Sequence, residues 1–186
     1  MLKTLKKYLE SEKKDKNIFD IILYGSYVKG KEKARDTDIL VIFLEGLLRG
    51  RLIKIQKIKE KLKNKIKNID IKQILIQDLF SSNFLARTGI FTTGVSIFKE
   101  KQFCEILGFN SFSLFWYNLK GLTHSQKVKF NYILAGRGTK GLIKELDGER
   151  LVNGAVKIPI KNSLEFEEVL KSNKINYKKK DVLFEI

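Results

Sequence analysis

Residues 18–44, IFDIILYGSYVKGKEKARDTDILVIFL, decide the fold of this chain. The stretch contains two short apolar runs, at residues 18–24 and 39–44, that are rich in isoleucine, valine and phenylalanine. Runs of this length and composition are typical of buried strands. We therefore predict two core strands joined by a polar segment that contains glycine, serine and charged residues.

The joining segment carries groups suited to binding phosphate and metal. Gly25 permits close backbone approach, and Ser26 is predicted to start a short helix whose free N–H groups and hydroxyl can hold a phosphate. Asp36 and Asp38 are two residues apart on the second predicted strand, so their carboxylates face the same side. Such carboxylates repel each other unless a positive charge lies between them, and Mg²⁺ typically takes one or two carboxylates together with substrate phosphates. The sequence thus predicts a phosphate site and a metal site at one place.

The order of these residues resembles the signature of the DNA polymerase β-like nucleotidyltransferase superfamily in its minimal form. The residues that carry the resemblance are Gly25-Ser26, Gly30 and Asp36-Thr37-Asp38, followed by Ile39-Leu40-Val41. This ordered set between two strands is far more specific than an isolated Asp-x-Asp. The resemblance extends over about residues 1–98. It implies an α/β (α+β) fold, the minimal nucleotidyltransferase fold with a small mixed sheet.

The resemblance also implies chemical roles. Gly25 and Ser26 would bind the triphosphate of an NTP, and Asp36 and Asp38 would hold two Mg²⁺ ions, with Mn²⁺ as a possible replacement. In the family a third carboxylate comes from a later strand, where it ligates one metal and helps to deprotonate the attacking hydroxyl. Asp70 matches that position.

The residues around Asp70 support a strand from their own pattern. Ile69 and Ile71 face one way, and Asp70 and Lys72 face the other. If this strand lies beside the second core strand, Asp70 completes a carboxylate triad. The alternative is that Asp70 is a surface residue at a strand start, with Lys72 either an exposed lysine or a phosphate contact.

Composition favours a polyanionic partner for a globular chain. The 186 residues are 43% hydrophobic, which suits one sizeable domain or two small ones. Lys and Arg number 37 against 21 Asp and Glu, a net charge of +16, which favours nucleic acid through phosphate contacts. Because the charge is spread along the whole chain, a compositional or thermophilic bias is the alternative.

The predicted location is the cytoplasm. The single cysteine, Cys104, excludes an internal disulfide and any multi-cysteine metal site. The first fourteen residues, MLKTLKKYLESEKK, lack the apolar core of a signal peptide, and the longest apolar runs are strand-sized. We expect a soluble, cytoplasmic protein that does not bind membranes.

Helical periodicity predicts a packing helix over residues 1–14 and an amphipathic helix with a basic outer side over residues 52–66. A helix starting at Asp78 and reaching about Arg87 is predicted next, followed by a short strand at residues 94–98 that ends the minimal domain. The remaining residues, 99–186, are predicted to form an accessory α+β module, with binding of the substrate as its predicted role.

Aromatic residues crowd the start of this module, between Phe103 and Tyr117. They are interpreted first as core residues, with a surface that stacks single-stranded bases as the alternative. Thr123 to Gln126 has the form of a capping box and predicts a helix that ends at Gly136. Beyond it we predict short strands at residues 142–146, 150–152 and 156–158, a short helix from Ser163, and a final hairpin of residues 175–177 and 182–184.

The loop of residues 136–141, GRGTKG, is the second candidate phosphate site. It lacks P-loop spacing, but Arg137 and Lys140 add two cations to free backbone N–H groups, as in an anion-binding nest. A helix C-cap followed by a turn explains it equally well. Arg137 and Lys140 are therefore candidate nucleic-acid contacts.

The combined prediction is transfer of a nucleoside monophosphate from an NTP, with ATP favoured, to a hydroxyl, with release of pyrophosphate. Basicity favours an RNA acceptor. The alternative acceptor is a protein hydroxyl, as in minimal members of the family that adenylylate a toxin partner. A non-catalytic RNA-binding protein on the same fold is a third hypothesis, against which the intact Ser26, Asp36 and Asp38 argue.

Overall fold

The computed structural model describes residues 1–25, 28 and 36–186. These residues form two compact units, Met1–Gly108 and Phe109–Ile186. The sequence predicts a boundary after residue 98, but the boundary lies after Gly108. The reason is that Phe103 is fully buried in a core cluster of the first unit, with Ile22 and Leu40.

The first unit contains a four-stranded mixed sheet. Its strands are β1 (Ile18–Tyr24), β2 (Thr37–Phe43), β3 (Ile69–Leu75) and β4 (Val95–Ser96). They lie in the order β3-β2-β1-β4; β1 is antiparallel to β2 and β4, whereas β2 and β3 are parallel. The two predicted core strands and the small mixed sheet are thus confirmed, and the strand of Asp70 does lie beside β2.

Both faces of this sheet are covered, which explains the nearly continuous apolar sequences of β1 and β2. One face packs against α1 (Leu2–Leu9), α2 (Leu48–Leu62) and the end of the 3-10 segment Glu10–Lys14. The other face packs against the 3-10 helix Ile76–Phe80, α3 (Arg87–Thr93) and α4 (Phe103–Ile106). Alternation along β1 and β2 therefore assigns most of their apolar side chains to one of two cores.

The predicted helix from Asp78 to Arg87 is wrong. A 3-10 helix occupies Ile76–Phe80, and α3 begins only at Arg87. The Ser81 hydroxyl accepts a hydrogen bond from the Asn83 backbone at 3.3 Å, a local side-chain bond that competes with helix formation. The predicted strand 94–98 is shorter than expected, because the Glu100 N–H turns back to the Ser96 carbonyl at 3.0 Å.

The second unit is a four-stranded antiparallel sheet covered by helices on one face. Its strands are β5 (Phe109–Asn118), β6 (Glu149–Val152), β7 (Ala155–Pro159) and β8 (Asn176–Glu185), in the order β6-β7-β5-β8. Its helices are α5 (His124–Ala135), α6 (Leu142–Glu145) and α7 (Ser163–Ser172), and a 3-10 segment, Ile160–Asn162, precedes α7. Their apolar residues share one core with Phe115 and Tyr117 of β5, and the predicted capping box at Thr123 is present. The prediction of an α+β module is confirmed.

Two predicted elements of this unit are wrong. Residues 142–146 form α6 and the turn after it, because Leu142 and Leu146, four residues apart, both pack into the core as one helical turn. The predicted final hairpin is the single strand β8, paired along its whole length with β5. Residues 178–180, which the predicted hairpin leaves between its strands, are three lysines within β8, an edge strand, where lysines discourage pairing with other chains.

No helix within the described ranges of the chain is long and apolar enough to cross a membrane.

Candidate active site

Strand pairing aligns two predicted site residues, Asp38 and Asp70, with Tyr24, the residue that precedes Gly25. Tyr24 at the end of β1 lies opposite Asp38 of β2, and Asp38 lies opposite Asp70 of β3. Residues directly opposite one another on paired strands project from the same face. The structure therefore places the Asp38 and Asp70 carboxylates on one face, at the same end of the sheet.

Asp36 lies just before β2 and is exposed. The next residue, Thr37, is buried and donates a backbone hydrogen bond to the Asn68 carbonyl at 2.7 Å, which ties the start of β2 to the start of β3. Alternation puts Asp36 on the same side of the strand as Asp38. The charge of Asp36 adds a small contribution that raises the pKa of the Asp38 carboxyl.

Asp38 is electrostatically strained in its ionised form. Burial raises the pKa of the half-buried Asp38 carboxyl, and the charges of Asp70 and Asp36 raise it further, while Lys72 opposes them. Burial also raises the pKa of the Tyr24 phenol to about 12, with added contributions from Asp38 and Asp70. Tyr24 therefore stays protonated at neutral pH, and this end of the sheet would gain from a bound cation.

Asp70 already has one cationic neighbour. Its Oδ2 atom lies 3.4 Å from Nζ of Lys72, but both side chains are more than half exposed, so the pair is weak. Among the described residues, no three His, Cys, Asp or Glu side chains lie close enough together to hold a metal ion. The expected triad is thus not assembled there as a three-ligand site.

The donor chemistry nevertheless fits a hard divalent cation. Carboxylate oxygens are the ligands that Mg²⁺ and Mn²⁺ prefer. Asp38 and Asp70 share a face, and three carboxylates, those of Asp36, Asp38 and Asp70, act there against the single cation of Lys72, so negative charge is in excess. A cation between them would relieve that excess, with Asp36 as a further donor at the strand start.

Glycine is required at position 25 because the backbone there contacts the Asp38 carboxylate. Its φ of +83° lies in the left-handed region, and a Cβ at this position would lie 2.1 Å from Oδ2 of Asp38. Only glycine avoids both the strain and the clash. The sequence predicts close backbone approach at Gly25 for a phosphate, and the structure shows that the carboxylate itself makes such an approach. The predicted nucleotide-binding Ser26, like Gly30, lies outside the described residues.

Tyr24 is the site residue that sequence reasoning missed. The sequence pattern identifies it only as the end of an apolar strand. Tyr24 is, however, the one hydroxyl-bearing residue of β1, and it directly precedes Gly25. That position is a weak signal without the strand register. Its 8% exposure and its position opposite Asp38 become evident only from the pairing of β1 with β2.

The candidate contacts Arg137 and Lys140 lie in the second unit, in an exposed tight turn after α5. Gly136 has a φ of +82° and its N–H donates to the Tyr132 carbonyl at 2.8 Å, so the turn is a helix C-cap. The Arg137 guanidinium lies 5.0 Å from the centroid of the Tyr132 ring. The turn leaves both cations exposed to solvent.

Comparison with protein families agrees with this geometry. The family model described as polymerase beta, nucleotidyltransferase, matches residues 3–103, which is more than half of the chain and includes Gly25, Asp36, Asp38 and Asp70. Comparison with curated proteins finds no match, and comparison with solved structures finds none either. The matched segment ends within the first compact unit. On the fold of that unit and the extent of the match, the chain belongs to the polymerase beta nucleotidyltransferase family.

Proposed function

We propose that this protein transfers a nucleoside monophosphate from an NTP, with ATP favoured, to a hydroxyl on RNA. The family supports nucleotidyl transfer as the general activity. The observation that supports the site is the pairing of Asp38 with Asp70 beside the Gly25 backbone. In the reaction the acceptor oxygen bonds to the α-phosphorus, the bond from that phosphorus to the bridging oxygen breaks, and pyrophosphate leaves with the electron pair.

The roles proposed for the chain's residues follow those of the family, and the exposure and charge of Asp36, Asp38 and Asp70 support them. Asp36, Asp38 and Asp70 would hold divalent ions, which the family generally uses. Bound Mg²⁺ or Mn²⁺ would supply the positive charge that stabilises the attacking and leaving oxygens. Asp70 is exposed and would accept the proton of the acceptor hydroxyl. Gly25 and Ser26 would bind the β- and γ-phosphates.

Two neighbours would adjust this site. Tyr24, which stays protonated, would donate toward the carboxylates and orient Asp38. Lys72, whose side chain is 59% exposed, would turn from Asp70 toward a substrate phosphate when a cation replaces it. Both roles use side chains on the face that carries Asp38 and Asp70.

The net charge of +16 favours RNA as the acceptor, since a polyanion would be attracted at long range. A protein acceptor is the second candidate, and one surface favours it. An apolar strip at the start of α2 is strongly exposed: Leu47 at 85%, Leu48 at 55%, Leu52 at 51% and Ile53 at 52%. Exposed apolar strips of this kind often mark contacts with partner proteins.

The test is transfer of label from each α-labelled NTP, with Mg²⁺, to single-stranded RNA or to proteins of a cell lysate. Label in RNA supports the proposal, whereas label only in protein supports the second candidate. Asp38→Asn and Asp36→Asn should lose transfer by several orders of magnitude. Asp147→Asn, at an aspartate of the second unit with a 69% exposed side chain, is the matched control and should stay active. No label in either acceptor would identify a non-catalytic member of the family.

A further inference from the structure

The sheet of the second unit has one covered and one open face. Side chains of Phe115 and Tyr117 on β5 point into the core beneath the helices. The intervening residues of β5, among them Phe112 and Trp116, point the other way. The strand register puts Lys178 opposite Trp116. Outward positions of such a sheet are normally polar, so exposed aromatic residues here need an explanation.

We define the outer face by six residues that share this side of the sheet: Phe112, Trp116, Lys157, Lys178, Lys180 and Phe184. Trp116 is 44% exposed and Phe184 is 42% exposed. The rings of Phe112 and Phe184 meet edge to face, with centroids 5.6 Å apart. Trp116 is four residues from Phe112 on the same strand, about 14 Å away. The outer face thus offers two separated aromatic positions.

Cations alternate with these aromatic positions. Lys178 and Lys180 are exposed and project from the outer face, opposite Trp116 and Leu114. Lys157 Nζ lies 5.0 Å from the Phe112 ring centroid and 5.3 Å from that of Phe184. The intervening Lys179 faces inward. Lys157 is paired with Glu149, whose Oε2 lies 2.7 Å from its Nζ, so the net positive charge of the outer face comes from Lys178 and Lys180.

Lys179 shows what an inward lysine does in the same strand. Its Nζ lies 3.2 Å from Oε2 of Glu167 and 3.2 Å from Oγ of Ser163, both on α7. Lys179 thus connects β8 to α7 through these two contacts. Lys178 and Lys180, on either side of it, project to the opposite face.

Protection of an edge strand accounts for only part of this surface. Lysines on β8 would discourage pairing with another chain. Phe112 and Trp116, however, lie on β5, which is an interior strand between β7 and β8. A partner that contacts both the aromatic residues of β5 and the lysines of β8 must carry flat rings and negative charge together.

We propose that the outer face binds single-stranded RNA, with bases stacked on Trp116 and on the Phe112–Phe184 pair and phosphates beside Lys178 and Lys180. Base stacking on aromatic side chains beside lysines is how single strands are bound without base readout. The choice of RNA over DNA rests on the proposed function. Binding itself needs neither NTP nor transfer, so it can be tested separately.

Trp116 is the only tryptophan in the chain, so its fluorescence reports on the outer face alone. The full chain is titrated with a twelve-nucleotide oligouridylate RNA, without NTP or divalent metal. Stacking should quench the fluorescence, and a duplex RNA of equal length should quench it much less. Absence of quenching by the single strand would overturn the proposal.

Substitutions then assign the contacts, with affinity measured by anisotropy of a labelled RNA. Trp116→Leu should weaken binding about tenfold, whereas Trp116→Phe should retain most of it. Phe80→Leu, at a 60% exposed aromatic residue of the first unit, is the control. Replacing Lys178 and Lys180 by alanine should lower the salt slope by about 0.7 per lost phosphate contact. The charge-matched control replaces Lys127 and Lys129 of α5, which are also exposed.

The results separate this inference from the proposed function. Equal losses in the test and control variants would overturn the RNA site on the outer face even if label transfer occurs. Specific losses at Trp116, Lys178 and Lys180 in a protein that transfers no label would support the RNA site and contradict the proposed function.

Discussion

A Cβ at position 25 would lie 2.1 Å from Oδ2 of Asp38, so the backbone of Gly25 and the Asp38 carboxylate are in direct contact. We predict that Gly25→Ala displaces this carboxylate and abolishes nucleotide transfer. The left-handed φ of +83° adds a cost of about 1–2 kcal/mol in the free energy of unfolding.

Gly108→Ala is the matched control for this prediction. Gly108 has nearly the same φ, +84°, but a Cβ there meets nothing within 4 Å. Both variants should therefore lose the stability expected for alanine at a left-handed φ in urea unfolding, any larger loss in Gly25→Ala reporting the clash with Asp38, while only Gly25→Ala loses transfer. Full activity of a folded Gly25→Ala protein would show that the Asp38 position is not needed.

Replacing Asp38 by asparagine should change stability in opposite directions with and without ligand. Burial and the charges of Asp70 and Asp36 raise the pKa of Asp38, so ionised Asp38 destabilises the metal-free fold at neutral pH. Metal-free Asp38→Asn should therefore melt at an equal or higher temperature than the parent. With Mg²⁺ and a non-hydrolysable NTP the order should reverse, by about 2.7 kcal/mol at 100 times the dissociation constant.

Asp36→Asn should show the same reversal, because its charge acts on the same site. The measurement is thermal melting of the parent and both variants under the two conditions. A parent without a ligand-dependent shift, or variants that shift as much as the parent, would remove both aspartates from the proposed metal site.

Glu12 is predicted to stabilise the fold in a pH-dependent way. Its carboxylate, only 2% exposed as a residue, lies 2.7 Å from Nζ of Lys54 and also pairs with Lys61. Burial alone would raise the pKa of Glu12, but the hydrogen bonds from Lys54 and Lys61 outweigh it and lower the pKa below its ordinary value. Lys54 and Lys61, two lysines on the basic side of α2, are therefore held by an ion pair with Glu12.

Because the folded pKa is below the unfolded one, the stabilisation by Glu12 is fully present above the ordinary pKa of a glutamate and is lost as the pH falls through the folded pKa. Glu12→Gln should cost about 1–2 kcal/mol at pH 7, because it weakens the charge-assisted hydrogen bonds to Lys54 and Lys61, whose ammonium groups stay partly exposed to water. The difference from the parent should shrink at acid pH in urea unfolding. Glu10→Gln, at an exposed neighbour, should have little effect at either pH.

Arg137 and Lys140 are predicted to contact RNA phosphates from their exposed turn. Replacing both by alanine should weaken RNA binding and reduce its salt slope by about 0.7 per lost contact. The comparison is with the Lys127 and Lys129 double replacement, which removes the same charge from α5. Unchanged affinity and slope would exclude the turn from the RNA interface.

Features that depend on neighbours in the chain were predictable. The apolar runs of β1 and β2 identify buried strands, and Thr123 with Gln126 identifies a helix start, because both patterns act over a few residues. The turn Asn153-Gly154 between β6 and β7 was predictable for the same reason. The predicted helix from Asp78 does not form, because the Ser81 hydroxyl accepts a hydrogen bond from the Asn83 backbone N–H and stabilises a turn there.

The sequence by itself determined the order of strands and acidic residues that marks the family, since these are properties of short segments. Only the tertiary structure decided that Asp70 lies opposite Asp38, that Gly25 contacts Asp38, and that Trp116 faces solvent rather than the core. Each of these depends on which strand pairs with which and on where helices cover the sheet. The physical reason is that a strand's pattern specifies two faces, whereas the fold specifies what each face meets.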